Sequence, residues 1–163
     1  MKGYVEKIIH EYPQMVRERE HLKEQMESFE FLSADELISA LSFSHPDGER
    51  VQSSDFSDKT ARIALEYQNK MEHLQEELLV PIQKRYGVLD TEISFLESAI
   101  HCLPNDLFDI MQRLVIEGRT WDAISEEMFI SITKLQKLRK AAIDYLIRIY
   151  QRRESEQIRM LLN

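Results

Sequence analysis

The sequence predicts an all-α protein: a long N-terminal helical hairpin or coiled coil, followed by a C-terminal bundle of short helices containing a helix-turn-helix. Three observations carry that expectation. Apolar residues recur at three- and four-residue spacing along most of the chain, the signature of helices with one buried side. Only four Gly and four Pro interrupt 163 residues. Late in the chain, Thr120 and Ser131 stand where each would cap a new helix. The predicted division is a helical region over 1–102, serving oligomerisation or partner binding and carrying a loop at 42–57, and a helix-turn-helix domain over 103–163.

The first helix is expected from roughly Tyr4 to Phe31. Val5, Ile8, Tyr12, Met15, Leu22, Met26 and Phe29 form its stripe, and Pro13 marks either a kink or the start of the stable part. Ser33-Ala34-Asp35-Glu36 has capping-box spacing ahead of Leu37, Ile38 and Leu41, so a short helix is expected there. The Ser-, Pro-, Asp- and Gly-rich stretch that follows reads as a loop.

From about Asp58 to Leu103 the stripe is Ile63, Tyr67, Met71, Leu74, Leu78, Ile82, Tyr86, Leu89, Ile93, Leu96, Ile100 and Leu103. Its phase survives Pro81 and Gly87 without a slip. One long helix, or two nearly collinear ones, is therefore expected, with a bend at Pro81. Its apolar side pairs either with the first helix, folded back antiparallel, or with another chain.

Leu103-Pro104 stops the long helix, because the residue before a proline is pushed out of the helical region. Asn105 is then expected to cap a helix carrying Leu107, Ile110, Met111 and Leu114, and Gly118 to close it in a left-handed conformation. Thr120 caps a second helix, Trp121 to Met128, and Ser131 a third, so two helices are joined by a very short turn. With about 100° per residue and Leu135 at zero, Leu138, Ala142, Tyr145, Leu146 and Ile149 form the buried arc of the third helix. Thr133, Gln136, Lys137 and Lys140 fall opposite, Lys134 on the flank, and Arg139 near the apolar edge.

Composition narrows the function. No apolar run reaches the ~18 residues of a membrane span, and the N-terminus lacks a signal-peptide core, so a soluble cytoplasmic protein without a membrane partner is expected. The single cysteine, Cys102, excludes an internal disulfide. No CxxC or HxxxH spacing, phosphate loop or paired-carboxylate arrangement is present, so neither a metal, a cofactor nor an enzyme is expected.

The net charge of −8 is unevenly spread. Residues 1–103 carry 11 Lys and Arg against 20 Asp and Glu, whereas Ser131 to Arg153 carries seven cations against Asp144 alone. Such a run is what a solvated helix face carries, and also what an anionic partner needs. The outward residues are of the types that read duplex DNA. Lys donates to guanine, Gln pairs with adenine, and Thr serves either base or a thymine methyl. A helix N-terminus in addition favours a phosphate.

The stretch "LPNDLFDIMQRLVIEGRTWDAISEEMFISITKLQKLRKAAIDYL", 103–146, resembles region 4 of the sigma-70 family, the four-helix module that recognises the −35 promoter element. Leu103-Pro104, Gly118, Thr120-Trp121, Ile124, Glu126-Glu127, Ile130-Ser131, Leu135, Leu138, Ala142 and Leu146 carry the match. Small Gram-positive phage regulators similar to sigma region 4 share this layout, with a helical N-terminal half and a loop like "ERVQSSDFSDKTARIA". The resemblance implies a sequence-specific regulator of transcription that binds double-stranded DNA through a recognition helix over 131–149 and contacts RNA polymerase; a homo-oligomer is expected from the N-terminal helical stripe. Carried over, the family's base- and phosphate-reading sites fall on Thr133, Lys134, Gln136 and Lys137, where base readout is expected; phosphate contact is expected at Arg119, Thr120, Ser131 and Lys140.

Two departures stand out. Phe129 occupies the turn position where the family usually has Gly, so a strained or reshaped turn, or an inward-packed ring, is expected. Ile132 stands where the family often has a polar residue that touches DNA. Nothing resembles the promoter-melting part of a full sigma factor. The residues leave open a second reading, a protein-interaction or phage packaging component whose helix-turn-helix reads no promoter. Trp121 is expected to anchor the core.

Overall fold

A computed structural model describes residues 1–28, Lys70, His73 and 75–161. Among these the chain is almost entirely helical, with no strand, as the sequence predicts. The helices are α1 (Lys2–Glu27), α2 (Val80–His101), α3 (Asn105–Met111), α4 (Trp121–Met128) and α5 (Ile132–Leu161). The capping box at Ser33, the loop at 42–57 and the stripe from Ile63 to Tyr67 lie outside the described residues.

Met1–His21 and Gly87–Asn163 form one compact unit, and Leu22–Tyr86 form another. The packing of the first unit thus crosses the 102/103 division suggested by charge and by Pro104.

α1 does not begin at Pro13. It starts at Lys2 and runs through the proline, whose ring is exposed. Val5, Ile8, Ile9 and Tyr12 make its buried side. Leu89, Ile93, Leu96 and Ile100 make that of α2, the phase expected for this stretch, with Ala99 added. The Tyr12 hydroxyl donates to Glu97 Oε1 at 2.7 Å, and Arg19 donates to Asp90 Oδ1 at 3.4 Å. Moving forward on α1 means moving back on α2, so the two helices run antiparallel along these contacts. Burial and the neighbouring Glu97 carboxylate both raise the Tyr12 phenol far above its ordinary value, so it stays a donor.

In the second unit, a π-helical turn over Gln75–Leu79 stands just ahead of Pro81. A proline at 81 presses on the carbonyl of residue 77 and offers it no N–H. A wider turn just ahead of the ring relieves that clash.

α2 ends at His101, and Leu103 N–H closes a tight turn onto the Ile100 carbonyl at 3.0 Å. Asn105 does not cap α3. Pro104 is the capping residue, with no side-chain hydrogen bond, and its carbonyl accepts from Leu107 N–H at 2.9 Å and Phe108 N–H at 2.8 Å. Because Pro104 already begins the ladder, Asn105 falls inside the helix. The expected single helix then widens into a π-helical turn over Gln112–Ile116, and Gly118 follows at φ 64°, the left-handed conformation predicted for it.

α5 extends twelve residues beyond the predicted Ile149, and its two halves are seated differently. Its first half packs with α3 and α4, where Ile110, Ile124 and Leu135 are buried together and Leu114, Trp121, Met128, Ile130 and Leu138 close around them. Its second half meets α1 and α2 through aromatic edges. The Tyr150 ring lies 4.7 Å from Phe95 and 5.9 Å from Tyr4, both edge-on, the geometry ring quadrupoles favour. Arg153 stacks over Phe95 at 4.0 Å and reaches Glu92 at 3.1 Å.

That second docking turns the buried side of α5. Ile143 and Tyr150 are buried, whereas Tyr145, expected in the core, is 43% exposed. At about 280° from Leu135, Tyr145 sits on the edge that swings out once Tyr150, near 60°, turns inward.

The Tyr150 hydroxyl is buried and makes no hydrogen bond among the described residues, although the Glu92 carboxylate, which accepts from Arg153, lies close enough to act on it. Burial foremost, then the Glu92 charge, raises its pKa far above the ordinary value. Tyr150→Phe keeps the ring and removes the unpaired hydroxyl, so unfolding stability should hold or rise by about 1 kcal/mol. Tyr150→Ala should cost about 3–5 kcal/mol, by analogy with other large aromatic truncations. Urea denaturation followed by circular dichroism distinguishes the two outcomes.

Candidate nucleic-acid interface

The start of α5 is built by two capped helix ends and one strained turn. Thr120 Oγ1 accepts from Ala123 N–H at 3.3 Å and opens α4, and Ser131 Oγ accepts from Lys134 N–H at 3.3 Å and opens α5. Both hydroxyls keep their own proton for a further acceptor.

Between the helices lie only Phe129, Ile130 and Ser131. Phe129 N–H bonds the Glu126 carbonyl, and Ile130 N–H bonds that of Ser125 at 3.2 Å. These are the two reversed bonds of a Schellman helix end. Ile130 packs back on the core that holds Ile124, the apolar contact that accompanies such an end. The Ser125 hydroxyl tightens it further, donating to the Ile130 carbonyl at 2.6 Å.

The motif places its left-handed residue at position 129, usually a glycine site. Here Phe129 takes φ 53° and ψ 40°. A left-handed L-residue costs about 1–2 kcal/mol. The ring recovers none of it by packing, because Phe129 is 95% exposed. The turn holds Phe129 left-handed at an energetic cost, and the ring does not pack inward.

The side chains assigned to base readout gather on one element. Thr133, Lys134, Gln136 and Lys137 are all exposed on the first turns of α5, as is Lys140, while Leu135 between them is fully buried. Among the described residues Lys134, Lys137 and Lys140 carry no ion pair, so their charge faces solvent uncompensated. Arg139 is half-buried, as its angle implied.

Arg119 differs from its fellow phosphate candidates. Its guanidinium lies 2.8 Å from Glu127, which Arg113 also contacts. The Arg113 hydrogen bond and charge, with that of Arg119, hold the Glu127 carboxyl below its ordinary 4.5. Arg119 thus serves first to tie the α3–α4 connection to the end of α4. The sequence held no sign of this, since Arg113 and Glu127 meet only through the packing of two helices. Among the described residues no cluster of three or more His, Cys, Asp or Glu could hold a metal ion. No helix described is long and apolar enough to cross a membrane.

No protein-family model, curated protein or solved structure matches the chain.

The Glu127 pair sets a pH dependence. A carboxyl with a depressed folded pKa adds stability above its ordinary value, and that stability is lost as pH falls through the folded one. Thermal melts from about pH 6 to about pH 3 should therefore show the parent protein losing stability more steeply than Glu127→Gln. Equal slopes would mean that the pair contributes nothing.

Proposed function

We propose that this chain is a sequence-specific, double-stranded DNA-binding regulator of transcription, with the first half of α5 lying in the major groove. One observation carries the reading. Thr133, Lys134, Gln136, Lys137 and Lys140 are exposed together at the start of a helix whose other side is locked into a core by Leu135, Ala142 and Leu146. A second helix after a short turn, reading bases with its N-terminal residues, is how helix-turn-helix proteins dock. Lys137 and Lys134 suit guanine acceptors, Gln136 suits adenine, and Lys140, Ser131 and Thr120 suit phosphates. The resemblance to sigma region 4 supports the same placement and suggests RNA polymerase as a protein partner. Oligomerisation through the N-terminal helices belongs to this proposal.

A second reading is favoured by Phe129 and Ile132, two exposed apolar side chains beside the cations. They suit a protein-interaction or packaging component, whose partner would cover them.

Selection from random duplexes, followed by titration of the selected duplex at rising salt, separates the readings. DNA binding with about four to six phosphate contacts gives a steep log–log loss of affinity, with a slope near −0.9 per contact. Lys137→Ala should cost about 1–3 kcal/mol of binding and relax base preference. Lys140→Glu should weaken all duplexes alike, with helicity unchanged in both variants. Absence of any selected sequence, or variants that bind as the parent does, would remove the DNA-reading assignment.

A further inference from the structure

Phe129 and Ile132 lie on either side of Ser131 at the opening of α5, and neither repays its exposure. Phe129 is 95% exposed in a left-handed conformation, and Ile132 is 41% exposed at the first position of the helix. Ile132 precedes Gln136 by one helical turn, and Gln136 precedes Lys140 by another. The three make one row on the helix surface, with side chains of successive members in reach of one another. That row starts apolar, continues with a carboxamide and ends with a cation that makes no ion pair among the described residues. Thr133 and Lys137 run beside it.

Each member has a counterpart in the major groove. Gln forms its two-bonded pair with adenine N6 and N7, and an apolar side chain contacts the 5-methyl group of thymine. A phosphate takes the cation. An apolar group one helical turn from Gln136 falls within about 5–6 Å of it, close enough to reach the edge of a base pair neighbouring the one Gln136 reads, since successive pairs rise by about 3.4 Å. Burying Ile132 and Phe129 against a methyl-bearing groove removes apolar surface from water without asking for a polar partner. Lys137 and Lys140 on this face and Lys134 on its flank, none ion-paired among the described residues, bring the polyanion that carries those methyl groups.

We propose that Ile132, with Phe129 flanking it, reads thymine by its 5-methyl group at a position next to the adenine read by Gln136. This rests on the duplex-reading assignment above and adds to it a base, a chemical group and two residues. The apolar pair acts as a specificity element, and it gives the operator a thymine beside the Gln136 adenine.

The test replaces thymines of the selected duplex one at a time by deoxyuridine, which lacks only the 5-methyl group. At one or two positions the parent protein should lose about four-fold or more in affinity, the transfer value of one buried methyl. Ile132→Ala should bind the thymine and deoxyuridine duplexes equally. Phe129→Gly should reduce the thymine preference while its denaturation midpoint is no lower than that of the parent, so that loss of folding cannot account for the result. If every deoxyuridine duplex binds as tightly as its parent, or Ile132→Ala keeps the thymine preference, the inference is overturned while duplex reading stands. If Phe129→Gly changes self-association and leaves base discrimination untouched, the ring serves a protein contact and the inference fails. If no duplex is selected at all, the duplex-reading assignment falls and this inference with it.

Discussion

α5 has to be seated twice. Its first half closes the small core of Ile110, Ile124 and Leu135, and its second half wedges Tyr150 between Tyr4 and Phe95. A helix held along one side at two places, from Leu135 to Arg153, has little freedom to roll about its axis there. Residues left on the other side of the first half are therefore presented by constraint, whatever their chemistry. Those residues are Thr133, Lys134, Gln136, Lys137 and Lys140. The proposed function follows from what this fixed side offers. A charge run on a loose helix would be a solvated face and nothing more, whereas the same run on a clamped helix is a surface of defined shape.

The turn ahead of α5 reflects the same constraint. Ser131 can cap the helix and Ile130 can reach the core only if the chain reverses tightly after Met128, and that reversal needs a left-handed residue. Ser125 reinforces it with its side chain and its carbonyl. The chain accepts Phe129 at the left-handed position, with a strain near 1–2 kcal/mol, and the ring is left in solvent. Total domain stability is only about 5–15 kcal/mol, so strain of that size is a sizeable fraction of it. Such strain suggests a use for the ring outside the fold.

Much of this was legible from residue order, and the parts that were not have physical causes. Three- and four-residue spacing located the buried sides of α1 and α2, because burial of one stripe is what makes an isolated helix stable. The bounds of α4 followed from Thr120 and from the short gap before Ser131, since capping is local chemistry. The outward placement of Thr133, Gln136, Lys137 and Lys140 followed from angle alone. Tyr145 was misplaced because the angular estimate took one partner for the whole of α5, whereas its second half docks elsewhere and turns the buried side toward Tyr150. Asn105 looked like a cap by residue type, yet Pro104 had already supplied the first carbonyl of the ladder. The π-helical turn after Met111 and the Arg113–Glu127–Arg119 cluster depend on tertiary packing that no local pattern encodes. The capping box at Ser33 and the loop at 42–57 fall outside the described residues and stand as expectations.

The central claim is that the outer side of the first half of α5 meets a duplex while its inner side stays clamped. Amide chemical-shift mapping tests it most directly, by titrating the labelled full chain with the duplex it selects. The account predicts the largest changes from Phe129 to Lys140, with the amides of Leu146 and Tyr150 little affected. Changes confined to other helices, or a rearrangement centred on Tyr150, would contradict it.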